Sequence, residues 1–371
     1  MRFQSLLKLS AVCLATFCVA VCPVRVVAND SASVDALTVE LRIMAKDFAA
    51  IIDKKDGGAV AIGEFSGSTD VRSSVGPRIQ LVLATELKAL KVSIDPENYR
   101  FEIKGDYQPV IDKESRLLGI KLVGRLINRA TADVLAEKPT GRFIFGAQTV
   151  GEFIGGNPHL RPNADPMEIS KEFERVLKDP RADVQGTKVR TQAGSPYAVE
   201  MLVKLGAGYV ARGIDEQKDP KRRPLVPINK DEVYGVRLIN KSAHEAAVDL
   251  RIDGINCFTF SDVKAQYWIV APGEHVDVLG WHKTNTKTLE FKVVDFPDTA
   301  AAKLNFKPSP SIGLITACFS ASWANDAARP ADEPELTGRG TGFGAEITVK
   351  TEQVSRTIGQ VRDTISVRYE R

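Results

Sequence analysis

Histidine is nearly missing from this 371-residue sequence, occurring only as His159, His244, His275 and His282. Cysteine occurs five times, and Cys13, Cys18 and Cys22 all fall within the first 28 residues. A zinc site built from histidine and cysteine therefore has little to draw on. His275 and Asp277 share a face of an expected strand, but no third ligand joins them and His282 falls on the opposite face. They read as surface or turn residues. No G-x-S-x-G elbow occurs. Gly338-Arg339-Gly340-Thr341-Gly342-Phe343-Gly344 is rich in glycine but leads into an expected strand, whereas a dinucleotide fingerprint joins a strand to a helix. Gly206-Ala207-Gly208 fails the same test. The acid pairs Asp249 with Asp253 and Glu64 with Asp70 have no glycosidase spacing, and 47 acidic residues make chance pairs inevitable. The expectation is a non-enzymatic protein with no cofactor and no metal.

An excess of charge of one sign is also lacking. Three of the 50 basic residues, Arg2, Lys8 and Arg25, lie in the first 28, which hold no acidic residue. Beyond them 47 basic residues face 47 acidic ones, which removes any electrostatic case for nucleic acid or an anionic membrane as the main partner.

What is present begins with an export signal. A basic start is followed by a mostly apolar stretch over 6–24, then Val26-Val27-Ala28, a small-residue end suited to cleavage before Asn29. Residues 1–28 are expected to be a signal peptide and not an uncleaved membrane anchor, since a spanning helix needs about 20 apolar residues and this core is shorter and broken, so no transmembrane span is left after cleavage. Val12, Phe17 and Val21 precede the three leader cysteines where lipidation wants a small residue. The expected location is the periplasm or the cell surface. Cys257 and Cys318 remain, and two readings stand: a disulfide formed in an oxidising compartment, or two buried thiols in neighbouring strands.

The length predicts two domains and the 43% hydrophobic content supports proper cores. Val34, Leu37, Leu41, Phe48 and Ile51 mark an amphipathic helix ended by Asp56-Gly57-Gly58, apart from a gap at Met44 and Ala45. Residues 59–65 read as a strand buried on both faces. A Ser/Gly loop follows, then a helix striped by Val75, Ile79, Leu83, Leu87 and Leu90. Extended segments over 99–110 and 117–128 complete a mixed sheet flanked by helices, placed at 29–138.

Residues 139–230 read as an irregular α/β extension and linker. They include a helix starting at Asp165-Pro166-Met167-Glu168 and a strand over 197–205. Residues 231–371 show about eight short strands, at 236–238, 248–252, 267–270, 275–279, 289–293, 312–319, 343–349 and 364–369, with Asp253-Gly254 and Pro272-Gly273 as turns. They predict an all-β sandwich with a long loop over 324–342. The fold class expected is thus α+β.

Two places suit binding. Ser66, Ser68 and Asp70 lie in a loop between a buried strand and a helix N-terminus, where open α/β sheets hold ligands. Trp268, Trp281 and Trp323 offer aromatic surface for a partner or glycan, the alternative being sandwich core. Adjacent Tyr267 and Trp268 must face opposite sides of a strand.

With Val60-Ala61-Ile62-Gly63-Glu64-Phe65 before the Ser/Gly loop, the helix from Val75, Lys104-Gly105-Asp106-Tyr107, the strand Ile120-Lys121-Leu122-Val123-Gly124-Arg125-Leu126 and Ala132-Asp133-Val134-Leu135, residues 34–138 resemble the periplasmic domains of the CsgG, FlgO and LpoB type, related to the N-terminal domain of TolB. The resemblance implies a non-enzymatic envelope protein that builds secretion pores or engages envelope enzymes and polymers. There is neither a lipobox cysteine nor a strand pair suited to membrane insertion, which sets the pore role aside. The function expected is an exported binding or assembly protein acting through protein or polymer contacts, with a homo-oligomer as one arrangement it can take. The alternative is a hydrolase-type envelope enzyme with its site around Glu64 and residues 66–70.

Overall fold

The computed structural model describes residues 25–27, 36–67, 73, 75–112, 117–140, 153, 155–215, 219, 222–306, 312–333 and 354–369. The expected leader lies outside these residues apart from Arg25–Val27, which form a short strand, β1. Also outside are Ser68, Asp70, the strand expected at 343–349 and residues 334–342 of the expected loop. The fold is α+β and dominated by sheet.

The first unit is built on α1 (Ala36–Asp53), which buries Leu37, Leu41, Met44, Ala45, Phe48 and Ile52 along one stripe. The gap in the sequence pattern at Met44 and Ala45 is thus no gap in packing. Gly57, at φ 67°, donates its N–H back to Ile52 O at 3.0 Å, and the helix stops there. The strands β2 (Val60–Gly67), β3 (Phe101–Ile111), β4 (Leu118–Asn128) and β5 (Val134–Pro139) form a sheet in that order. β2 and β3 run parallel with α2 (Val75–Ala89) between them in the chain, and the other pairs are antiparallel. β2 is fully buried at Val60, Ala61, Gly63 and Phe65 but only half-buried at Ile62 and Glu64, so one face is covered completely and the other in part.

Glycine has a specific task in this sheet. Gly105 and Gly124 sit opposite each other on β3 and β4. A Cβ on Gly105 would lie 2.0 Å from Val123 O and 2.7 Å from the Phe65 ring, and one on Gly124 would lie 2.6 Å from Met44 Sδ. The missing side chains let α1 and Phe65 close onto the sheet.

The described residues of 139–230 divide between the two units. α3 (Pro166–Lys178) has the capping box expected from the sequence: Asp165 accepts from Glu168 N and Glu168 accepts from Asp165 N. Its Phe173 and Val176 pack into the first core with Phe153 and Leu160, and Ser170 Oγ accepts from Leu118 N at 2.7 Å. The next strands, β6 (Asp183–Gln185), β7 (Lys188–Arg190), β8 (Tyr197–Leu205), β9 (Gly208–Ala211) and β10 (Leu225–Val226), belong to the second unit. β8 is a central strand there, so the sandwich takes in much of the stretch read as an extension.

That unit continues with β11 (Val233–Asn240), β12 (Glu245–Ile252), β13 (Ile255–Asn256), β14 (Tyr267–Val270), β15 (His275–Val278), β16 (Gly280–Thr284), β17 (Lys287–Lys292), the one-turn helix α4 (Ala300–Lys303), β18 (Leu314–Trp323) and β19 (Thr357–Tyr369). One sheet runs β1-β14-β12-β18-β19-β10 and the other β16-β17-β11-β8-β7-β6. Inward residues from both, such as Met201, Val236 and Leu238 from one and Leu250, Phe319 and Ile365 from the other, share one core. Trp268 and Val270 point into that core, while Tyr267 and Ile269 join Ala247 in a separate cluster, as strand alternation requires.

The disulfide is not formed. Cys257 and Cys318 are both buried free thiols, as in the second reading, although Cys257 lies in the turn after β13 and only Cys318 is in a strand. Thr364 Oγ1 lies 3.6 Å from Cys318 Sγ, and burial pushes the Cys257 thiol far above its ordinary pKa. Neither is poised as a nucleophile.

Candidate functional site

A groove of about 700 Å³ opens in the second unit. Its location follows from three local features. The first is the hairpin of β16 and β17, where Trp281 stands opposite Leu289. Close approach of the strands is set at Gly280, where a Cβ would lie 2.1 Å from Leu289 O. Trp281 meets the Phe291 ring edge-on at 5.2 Å and Phe260 at 5.3 Å, and Tyr234 stacks on Phe291 at 5.3 Å. The aromatic floor is therefore braced from beneath by rings that are themselves buried.

The second feature is the segment after β17. Phe296-Pro297-Asp298 makes a 3₁₀ turn and Thr299 caps α4, accepting from Ala302 N at 3.1 Å. This brings Phe296, Asp298 and Lys303 to the opposite wall. The third is the Asp253-Gly254 turn between β12 and β13. Both residues have positive φ, 54° and 77°, and Ile252 pairs with Ile255, the two-residue hairpin expected from the sequence. Asp253 is buried, and its carboxylate accepts from Tyr369 Oη at 2.9 and 3.0 Å and from Gly313 N at 2.7 Å. Burial, with Asp253 nearby, pushes the Tyr234 phenol well above its ordinary pKa, which keeps it neutral.

The charges at the rim are mostly satisfied within the protein. Lys230 pairs with Asp295 at 2.5 Å, Lys292 with Asp231 at 2.8 Å and Glu290 with Lys204 at 2.6 Å. Among the described residues, Lys303 and Asp298 form no ion pair. With both signs present and largely paired, the groove carries no strong field.

Of the six residues singled out for binding, Trp281 alone lines this groove. Trp268 and Trp323 are core residues, at 6% and 2% exposure, so for these two the sandwich-core alternative is the one that holds. Ser66 is exposed at the end of β2, in the other unit, and Ser68 and Asp70 lie outside the described residues. Glu64 lines a much smaller gap between the units, beside Gly76, Pro77 and Phe306. No hydrogen bond joins it to a serine, cysteine or histidine among the described residues. Asp277 is held by the Arg237 guanidinium at 2.7 and 2.8 Å, and no group of three or more His, Cys, Asp or Glu side chains among the described residues is placed to hold a metal ion.

A second polar cluster was invisible in the sequence because its members lie up to 204 residues apart. The fully buried Asp363 of β19 accepts from Ser195 Oγ on one oxygen and bonds His159 Nδ1 through the other. Serine, histidine and aspartate thus meet, but the carboxylate stands between the other two. Nucleophilic catalysis needs the imidazole in the middle, where it can take the hydroxyl proton, so this order does not activate Ser195. The cluster is a clasp: Leu160 N donates to Arg362 O at 2.7 Å and Thr364 N to Pro158 O at 3.2 Å, tying residues 158–160 along β19.

The hydrogen bond to Asp363 holds the His159 pKa above its ordinary value, against burial that acts to lower it. A folded-state pKa above the unfolded value means stability that is complete below about 6.5, the unfolded value, and lost as pH rises through the folded one. His159→Gln is therefore expected to cost about 2 kcal/mol at pH 5.5, the worth of a charge-assisted hydrogen bond, and clearly less at pH 8.5. Thermal unfolding of both proteins at the two pH values checks this. An equal loss at both would show that His159 is not charged in the clasp.

No family model matches the chain, no curated protein matches it, and no solved structure matches it.

Proposed function

We propose that this chain is an exported binding or assembly protein of the periplasm or cell surface, and that it engages its partner through the groove of the sandwich. The observation that carries the reading is the groove itself. It is a concavity of about 700 Å³ with an aromatic floor fixed by buried rings and a rim whose charges are mostly paired. Ligand sites are concave, mostly apolar and equipped with few polar groups, and pockets of about 300–1,000 Å³ are typical. The lack of an activated nucleophile in the Ser195, Asp363 and His159 cluster speaks for binding over turnover. Export rests on the leader pattern, and a non-enzymatic envelope role on the likeness of residues 34–138 to the CsgG and TolB N-terminal type. No helix among the described residues is long and apolar enough to cross a membrane.

A photo-crosslinking residue placed at Leu289, on the rim and 55% exposed, tests this in intact cells. The expected result is a discrete crosslinked product from position 289 and none from Ile43, an equally exposed position on α1. Equal labelling at both positions, or none at 289, would overturn the groove as the binding face.

A further inference from the structure

Resting on the leader reading above and independent of the groove, we infer that β1 is a removable guard on the edge of β14, and that the mature chain, cut before Asn29, pairs that edge with β14 of a second copy. β1 is Arg25–Val27 and ends one residue before the expected cut. It runs antiparallel to β14, with Arg25 opposite Ile269, Val26 opposite Trp268 and Val27 opposite Tyr267. β1 stands at the end of its sheet and pairs with β14 alone. Three residues held from one side make few hydrogen bonds, and once the chain is cut their binding also costs the freedom of a separate molecule. The cut therefore takes β1 away with the leader. Alternate residues of β14 then turn their N–H and C=O groups toward an empty edge.

What fills such an edge follows from what β14 lacks. The other sheet ends carry a charge or flanking prolines: Glu64 in β2, Lys138 in β5, Asp183 in β6, Lys283 in β16, and Pro224 and Pro227 on either side of β10. Charges and prolines of this kind keep edges from pairing with other chains. β14 is Tyr267-Trp268-Ile269-Val270, with the uncharged Gln266 before it and Ala271 after it. The charge at this end of the sheet is Arg25, and it leaves with β1.

β14 is also complementary to itself. β1 shows that the edge takes an antiparallel strand, and a two-fold axis between two copies presents β14 to β14 in that direction. With Trp268 in the place of Val26, Tyr267 faces Ile269 of the second copy and Ile269 faces Tyr267 of the second copy. Both pairs join an aromatic ring to a β-branched side chain, a favoured cross-strand combination, and no charge meets a like charge. Tyr267 and Ile269 already share a small apolar cluster with Ala247, apart from the sandwich core, and the pairing extends it across the axis. With four residues a side in the ladder, the interface is small, and the dimer is expected to exchange with the monomer as concentration changes.

A photo-crosslinking residue at Gln266, exposed beside β14, is introduced into the natural chain and into Ala28→Leu, in which the small residue needed for the cut is lost and β1 stays attached. Illumination of intact cells should give a crosslinked dimer of the processed chain and none of Ala28→Leu. The same residue at Val134, an exposed position on β5, should give no dimer in either. The purified processed chain should sediment as a monomer when dilute and approach twice that mass when concentrated, a result that stands whether or not Ala28→Leu folds. A processed chain that stays monomeric at every concentration, a dimer equally abundant with β1 attached, or a Gln266 product with a different protein would overturn the inference and leave the leader and groove readings standing. A purified chain whose mass shows residues 25–27 retained would overturn both the inference and the leader boundary.

Discussion

Gly105→Val is expected to unfold the first unit, with a loss of about 3 kcal/mol or more, the upper end for forced overpacking. The reason is the identity of the atoms a side chain would strike. A Cβ here would sit 2.0 Å from a backbone oxygen, Val123 O, which cannot move without breaking the pairing of β3 and β4. The Phe65 ring behind it is fully buried and has no room to turn away. Gly124→Ala is the informative comparison, since its Cβ would meet the end of the flexible Met44 side chain at 2.6 Å. About 1 kcal/mol is the expected cost there. Circular dichroism follows the helices α1 and α2, while all three tryptophans report on the sandwich. A Gly105→Val protein that melts with the wild type would show that β3 and β4 do not pair in this register.

Arg362→Met is expected to cost about 3–5 kcal/mol, because it strands a buried carboxylate. The guanidinium bonds Glu333 Oε1 at 2.8 Å and both oxygens of Asp332 at 2.8 and 2.9 Å. The Glu333 side chain is 2% exposed, and without Arg362 its hydrogen-bonding partner among the described residues is Gln360 N at 3.1 Å. Asp332 is half-open to water and tolerates the loss better. The double variant Arg362→Met, Glu333→Leu should recover most of the stability, since removing a buried pair together is close to neutral where removing one partner is not. Denaturant melts of the three proteins decide it. A single variant as stable as the wild type would mean that Glu333 reaches water.

What was legible in the sequence is what short-range chemistry controls. The stripe of α1, the alternation of β4 through Leu118, Ile120, Leu122 and Leu126, the capping box at Asp165 and the turn at Asp253-Gly254 all appear where the residues indicated. Each depends on contacts within a turn or on a period of side chains, and needs no distant partner. The strands β6 and β7 were not legible: three residues each is too short for a period to register, and only the Gly186 turn at φ 65° marks their hairpin. Pairing of β8 with β11 fixes the true start of the sandwich, and such pairing follows from burial on both sides of β8. Of the candidate binding residues, the tryptophans were right in kind but not in selection. Trp281 was distinguished from Trp268 and Trp323 only by the wall that residues 296–303 raise beside it. That wall is a single helical turn whose one sequence signal is the Thr299 cap.

The order in which a ribosome releases the chain gives β19 a further significance. β19 pairs with β18 along its length, receives β10 in parallel at its end, and carries residues 158–160 of the clasp. Everything it joins is made earlier. Until it arrives, β18 presents the apolar residues Ile315, Ala317 and Phe319 beside an unpaired edge, and the His159 segment has nothing to lie against. Unpaired edges of this kind invite pairing with other chains. β18 and residues 158–160 therefore stay open until β19 has left the ribosome, and its arrival closes both along one strand.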